Sequence, residues 1–197
     1  MFPSLAGNYT ARYPEVRLHF VTDMTLHIQE GVRNGRLDCA IIAFPDRDPS
    51  LMTRQVASES IHLISHHSLD LGLGPVCTVK ELASVPLLLP GLPHRERLGY
   101  ERLAAAKGET LQCVMEADSL PILRDLARLG LGHLLLPSTA VFKLKEDGEW
   151  TSTRVKGFEV ERFIAWHTER PITEAMSGFM KVLDEELAAL AKRGVLN

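Results

Sequence analysis

Cysteine is scarce: three residues in 197, with no CxxC pair among them. Cys39, Cys77 and Cys113 leave an odd thiol, which speaks against a disulfide framework and for a reducing compartment. Cys39 and Cys113 fall in strand-like runs, where a buried small hydrophobe is expected in preference to a redox sensor. Apolar runs long enough to cross a bilayer are missing, and no charged region followed by an apolar core opens the sequence. A cytoplasmic protein with no membrane partner is therefore expected. Charge of one sign is not in excess either: the formal net charge is -3, and dispersed basic residues give no pull toward phosphate backbones or anionic lipid. His62 and His66 would share a strand face, and His66-His67 and His94 stand out, but no Cys or second His at ligand spacing completes a metal site. A nucleophile with its base, paired carboxylates in a motif and a phosphate-cradling glycine loop are all lacking. An enzyme is thus the weakest functional class, and no cofactor is implied. Neither internal repeats nor low-complexity tracts occur.

What is present is enough apolar material for a core. Hydrophobic residues make up 45% of the chain and charged residues 24%, which suits one large domain or two small lobes. Phe2, Leu5, Tyr9 and Tyr13 recur at helical spacing, and Pro14 ends that helix because it cannot continue the hydrogen-bond ladder. In "EVRLHFV", Val16, Leu18 and Phe20 alternate with Arg17 and His19, the pattern of a strand at a sheet edge. Met24, Ile28, Gly31 and Val32 predict a second helix closed by Gly35, and "LDCAIIAF" predicts a buried strand. Helix, strand, helix and strand in that order imply crossover connections and a largely parallel sheet.

The Pro- and Asp-rich "FPDRDPS" predicts a loop, and "MTRQVASESIHLISHH" two further extended pieces. "TVKELASVPLLLPGLPH" predicts a short helical turn, a buried strand and a Pro/Gly-rich turn. Leu98 to Lys107 predicts a helix and "TLQCVMEA" the next strand. In "ADSLPILRDLARLGLGHLLLP" a polar hinge leads into a helix whose Ile122, Leu123, Leu126 and Leu129 form one stripe opposite Arg124, Asp125 and Arg128. A glycine stop and a buried strand come next. From Val141 to Gly157 the composition turns polar, with "KEDGEW" a turn. "ERFIAWHT" predicts a strand, and Met176, Phe179, Met180, Leu183, Leu187 and Leu190 a last helix with Lys192 and Arg193 in its final turn. The economical arrangement sends the chain out to a second lobe through "SIHLISH" and back through "RFIAWHT". A cleft between lobes is where a small ligand would bind.

Taken in order, "YPEVRLHFV", "EGVRNGRLDCAI", "LLLPGLPH", "EADSLPILRDLARLGLGHLLLP" and "ERPIT" resemble the effector-binding domain of LysR-type transcriptional regulators over nearly the whole chain. Each piece alone is weak; the ordered set is specific. "LPGLPH" and "EADSLPILRDL" are similar to members resembling nitrogen-assimilation regulators. The resemblance implies an α/β, two-lobed periplasmic-binding-protein-like (type 2) fold with mostly parallel sheets joined by two crossover strands. Lobe I would comprise residues 1-66 plus 163-197, and lobe II residues 67-162. A small-molecule effector, such as an organic acid or amino-acid metabolite, would lie in the interlobe cleft. A winged helix-turn-helix would lie upstream, so DNA is implied as a partner only through that part. The family's domain also opens with a strand and a polar turn ahead of the helix that "MFPSLAGNYTARYP" completes, so one sheet strand and one pocket wall are expected to lie outside this chain.

Position by position, the resemblance puts Thr25 at the start of the second helix facing the effector, where its hydroxyl and the free N–H groups would bind an anion. A plain N-terminal helix residue is the alternative. Pro90, Gly91 and His94 match the opposite wall, His94 being either a donor to a carboxylate or a solvent-facing turn histidine. Asp118 and Ser119 either cap the helix that Pro121 opens or border the cleft and hold the effector. Trp166 and Thr168 offer an apolar floor and a hydroxyl, with a core role the alternative for Trp166. A homodimer is implied, formed by Tyr9 and Tyr13 of the first helix and Val16, Leu18 and Phe20 of the edge strand. The implied function is a ligand sensor that relays effector binding to a DNA-binding domain. The alternative is a stand-alone solute-binding protein of a transporter, against which the lack of a signal peptide counts.

Overall fold

In the computed structural model, which describes residues 2–45, 47–144 and 148–197, the first apolar repeat becomes α1 (Phe2–Arg12). The Tyr13 N–H still donates to the Tyr9 carbonyl at 2.9 Å, and Pro14 stops the ladder there. α2 (Thr25–Arg33) and β1 (Cys39–Ala43) lie where the spacing predicts them. The expected edge strand differs. Val16 and Leu18 are half-buried while Arg17 and His19 are exposed, so the alternation is real. Yet Val16 to Phe20 joins no ladder among the described residues, and without a neighbour an extended segment is not a strand.

Residues Met1–Ser58 and Glu161–Asn197 make up one compact unit and Glu59–Val160 a second. Two long strands, β2 (Leu51–His66) and β7 (Trp150–His167), each begin in one unit and end in the other. In the first unit β1 pairs antiparallel with the end of β7, Cys39 opposite Trp166 and Ala43 opposite Arg162. Side chains alternate across this pair. Ile41 and Ile164 face α1 and α7 (Glu174–Lys192), joining Leu5, Tyr9, Leu183 and Leu187; Ala40, Ile42 and Ala165 face α2, joining Ile28 and Val32. Each such buried aliphatic side chain contributes about 1.5–3 kcal/mol. Within β1, burial pushes the Cys39 thiol up to about 11.

Helix α7 starts on Thr173, whose hydroxyl accepts the Met176 N–H at 3.2 Å. Gly178 lets the Tyr13 ring lie directly on its backbone, where any Cβ would collide. Tyr9 is 1% exposed, stacks on Tyr13 with centroids 4.8 Å apart, and donates its hydroxyl proton to the Ala175 carbonyl at 2.8 Å. Its place in the expected dimer surface is therefore corrected: α7 covers it, and its one polar side-chain atom is satisfied inside the unit.

In the second unit β2 pairs antiparallel with β6 (His133–Pro137), from Ile61 opposite Pro137 to Ile64 opposite Leu134. β4 (Pro86–Leu89) lies between β6 and β5 (Gln112–Glu116), parallel to both. A short β3 (Val76–Cys77) runs parallel to β7. The sheet is thus mixed, with its parallel core at β6, β4 and β5. Helices α3 (Val79–Ala83), α4 (Arg95–Ala105), α5 (Leu120–Arg128) and α6 (Ser138–Leu144) connect these strands. Leu88, Leu123, Ala127, Leu134 and Leu144 close the core beneath α5 and α6.

The two extended pieces expected in "MTRQVASESIHLISHH" are one continuous β2. β7 begins at Trp150, well before "ERFIAWHT", because Thr153 and Val155, and then Phe158 and Val160 after the phase changes at the positive-φ Gly157, keep alternate residues buried through the polar stretch. Helix α6 has no counterpart in the sequence reading; buried Val141 and Leu144 hold it. Of the turn expected at "KEDGEW", Lys145, Glu146 and Asp147 lie outside the described residues, as does Asp46 of "FPDRDPS".

His133, 2% exposed, shares a hydrogen bond of 2.8 Å between its Nδ1 and the Ser65 hydroxyl. Burial holds its pKa below the ordinary 6.5. The unfolded chain therefore takes up this proton at a higher pH than the folded one. The resulting contribution is flat above about pH 6.5 and lost as pH falls below it. Urea midpoints measured between about pH 7 and pH 5 should decline less steeply for His133→Gln than for the parent; equal slopes would discard this assignment.

Candidate functional site

The parallel strands β4 and β5 end side by side, and the two loops that leave them form one rim. Ligands favour such carboxyl edges because helix N-termini gather there. After β4 come Pro90, Gly91, the cis peptide bond Leu92-Pro93 and His94, whose N–H donates to the Gly91 carbonyl at 3.0 Å. After β5, the Ala117 N–H donates to the Leu89 carbonyl at 3.1 Å and carries the pairing one step on. Asp118 then turns toward the first loop. Its Oδ1 accepts the Gly91 N–H at 2.9 Å, and a Cβ on Gly91 would stand 3.3 Å from that oxygen, so glycine permits the approach.

This corrects the expected cap. Asp118 spends its carboxylate on an amide from the neighbouring loop. Ser119 does occupy the N-cap position of α5, but its side chain makes no capping hydrogen bond. His94 holds the same position at α4, again without a side-chain cap, and its buried Nδ1 has no hydrogen-bond partner among the described residues. Other helices are tied off. Thr78 and Glu81 form a capping box on α3, Thr173 caps α7, and the buried Glu59 accepts from the N–H and hydroxyl of Thr139 at the start of α6. The N-cap side chains of α4 and α5, by contrast, give no hydrogen bond to their helix ends.

Arg97 has no place among the sequence-predicted residues, yet it supports this rim. Only 6% exposed, it donates from one terminal nitrogen to the Pro90 carbonyl at 3.2 Å, lies 3.3 Å from Glu116 and 3.1 Å from the Cys113 sulfur, and pairs through Nε with Glu101. Burial, the largest single influence, would lower its pKa; the hydrogen bonds and charges of Glu101 and Cys113 together outweigh it and raise the pKa. The available signal is its spacing, since Arg97, Tyr100 and Ala104 are all buried along one stripe of α4.

The remaining candidates belong to the first unit. Thr25 opens α2 in the first unit, behind Met24, which gives no side-chain cap. Next to it, Asp23 is held below the usual carboxylate range by His27 and by the Met24 amide. Trp166 pairs with Cys39 and packs on the core shared by α1 and α7. Thr168 donates both its N–H and its hydroxyl to the Ser50 carbonyl, at 2.9 and 3.1 Å. Trp166 and Thr168 are thus drawn into packing and loop closure. No three His, Cys, Asp or Glu groups among the described residues stand together as metal ligands.

A rim of this kind can orient a small polar molecule: two helix N-termini whose N-cap side chains make no cap attract an anionic group, Asp118 accepts from a donor, and the His94 nitrogen can share a hydrogen bond.

A family model described as the LysR substrate binding domain matches residues 1–188. The HTH-type transcriptional regulator BbuR of Bordetella bronchiseptica is 30% identical over 141 residues, covering 72% of this chain and 43% of BbuR. CzcR of Bacillus anthracis, also an HTH-type regulator, is 25% identical over 187 residues, covering 93% of this chain and 62% of CzcR. The chain thus spans about half the length of these relatives. Among solved structures, a mutant OxyR of Corynebacterium glutamicum with H2O2 bound superposes with a TM-score of 0.83 at 20% identity, over 99% of this chain and 64% of that one. That likeness bears on the fold alone.

Ser119→Ala should leave the urea midpoint nearly unchanged, within about 0.5 kcal/mol. Asp118→Ala should cost about 1.5–3 kcal/mol, the worth of a hydrogen bond to a charged group. The reverse order of effects would restore the cap.

Proposed function

The chain belongs to the LysR substrate-binding domain family, the effector-sensing part of LysR-type transcriptional regulators, and from that premise we propose that its second unit reads a small polar metabolite at Pro90, Gly91, His94, Asp118 and Ser119. The observation that carries this reading is the pair of uncapped helix ends, α4 and α5, beside an unpartnered imidazole nitrogen and a carboxylate fixed by a backbone amide. A carboxylate on the effector would meet the helix ends and His94. An amine or hydroxyl on the same molecule would meet the second oxygen of Asp118. Amino-acid and hydroxy-acid metabolites carry both groups. Thr25, at the uncapped start of α2, is a separate polar point in the first unit.

Effector binding shifts the balance between arrangements of the protein, and a DNA-binding segment beyond this chain responds. The names of BbuR and CzcR, both HTH-type regulators, support that partner; they lend nothing to the transporter alternative. The working form is a homodimer or higher homo-oligomer. With Tyr9 withdrawn into the core, its surface reduces to Tyr13, Val16, Leu18 and Phe20, of which Phe20 is 45% exposed.

A thermal-shift panel of amino acids and small organic acids tests the site. A true effector at a hundredfold its Kd adds about 2.7 kcal/mol of stability, and Asp118→Asn and His94→Ala should each weaken it about tenfold or more, near 1.4 kcal/mol. Undiminished affinity in both variants would remove the rim from the mechanism. For assembly, light scattering at micromolar concentration should give a dimer that Phe20→Asp converts to monomer; a monomeric parent would count against the surface.

A further inference from the structure

Carboxylates at the rim of the second unit outnumber the cation that holds them. Arg97 brings one positive charge to Glu101 and Glu116 together, and Asp118 lies beyond it with a backbone amide as its partner. Each of the two rim carboxylates also keeps one oxygen back. Glu116 meets Arg97 through Oε1, and Asp118 meets the Gly91 amide through Oδ1. The other two oxygens converge. The point where a Cβ on Gly91 would stand is 3.7 Å from Glu116 Oε2 and 3.7 Å from Asp118 Oδ2, with Asp118 Oδ1 at 3.3 Å. Positions 116 and 118 share a side because alternate residues of an extended segment do, and a residue without a side chain leaves the notch between them unfilled. Although the Glu116 side chain is 51% exposed, the buried guanidinium tethers it there.

We propose that this notch holds an ammonium group, and that Glu116 is the specificity-determining residue that selects an α-amino acid over the corresponding hydroxy acid. The inference rests on the rim being the effector site and narrows what that site takes. An ammonium group brings three N–H donors and a full positive charge, whereas a hydroxyl brings one donor and no charge. Three carboxylate oxygens gathered about one point match the first and leave the second short. A hydroxyl would satisfy one oxygen, and the mutual repulsion of Glu116 and Asp118 would stay unrelieved. The guanidinium does not cancel this preference, because Glu101 occupies its other edge. The carboxylate of the same molecule has its place close by. The His94 N–H closes on the Gly91 carbonyl at 3.0 Å, so the first turn of α4 follows directly on the notch. So short a separation suits a molecule whose amine and carboxylate share one carbon.

The test is isothermal titration of the whole chain with L-amino acids, each paired with its α-hydroxy-acid counterpart and its N-acetyl derivative. The expected result is an amino acid that binds about tenfold or more tighter than its hydroxy acid, near 1.4 kcal/mol, while its N-acetyl form does not bind. Glu116→Gln keeps an acceptor for Arg97 and removes the charge. It should weaken the amino acid about tenfold and leave the hydroxy acid within about twofold. Glu116→Asp keeps the charge but shortens the reach toward Arg97, and should retain the preference for the amine. If Glu116 only props Arg97, Glu116→Asp will do more harm than Glu116→Gln and both ligand classes will weaken alike; that order overturns the proposal. It also falls if the parent binds hydroxy acids as tightly as amino acids, or binds no amino acid at all. Hydroxy-acid binding that His94→Ala weakens, with no preference for amines, would sink the selection and leave the rim standing as the effector site. Ligands held equally by the parent, His94→Ala and Asp118→Asn would remove the rim, and the selection with it.

Discussion

A guanidinium shut away from water governs the shape of the second unit's rim. A buried charge persists only where every neighbouring group is matched to it, and losing one partner of such a pair typically costs about 3–5 kcal/mol. Arg97 meets that demand with partners from three places: Glu101 on its own helix, the Pro90 carbonyl in the loop after β4, and Glu116 with Cys113 on β5. Its fixed planar fork sets where Pro90 lies. The position of Pro90 sets where the Gly91 amide points, and that amide holds Asp118. Electrostatic satisfaction in the interior thus becomes geometry at the surface, where an effector would read it.

The distribution of helix caps gives the same rim its sign. Side chains close α3, α6 and α7, and they do so with residue types any helix could have used. At α4 and α5 the N-cap positions hold His94 and Ser119, whose side chains make no capping hydrogen bond. Ser119 is the more telling, since its hydroxyl has the right chemistry and the right place for a cap. Stability alone would favour a capping hydrogen bond at both positions.

Amphipathic stripes make α1, α2, α5 and α7 legible in sequence, because each buries one face on a sheet. Pro14 and the residues around Thr173 mark their ends for local reasons. The ordered family resemblance carries the fold class further than any single stripe. The features hidden from sequence depend on partners distant in the chain. Asp118 reads as a cap because capping is a local preference, while the amide that claims it sits 27 residues away. Val16 to Phe20 has the alternation of a strand without the neighbour a strand requires. Arg97 escapes notice because a charged residue is rarely buried, and Tyr9 misleads because the resemblance assigns the first helix to a dimer surface while this side chain lies on its buried face.

The first unit is assembled from both ends of the chain, with all of Glu59–Val160 intervening. Leu5 and Tyr9 share one core cluster with Val182, Leu183 and Leu187 of α7. On a ribosome adding roughly 5–20 residues each second, the opening helix would wait on the order of ten to thirty seconds for the closing one to emerge. Throughout that interval the part of its apolar stripe that α7 will cover stays unshielded.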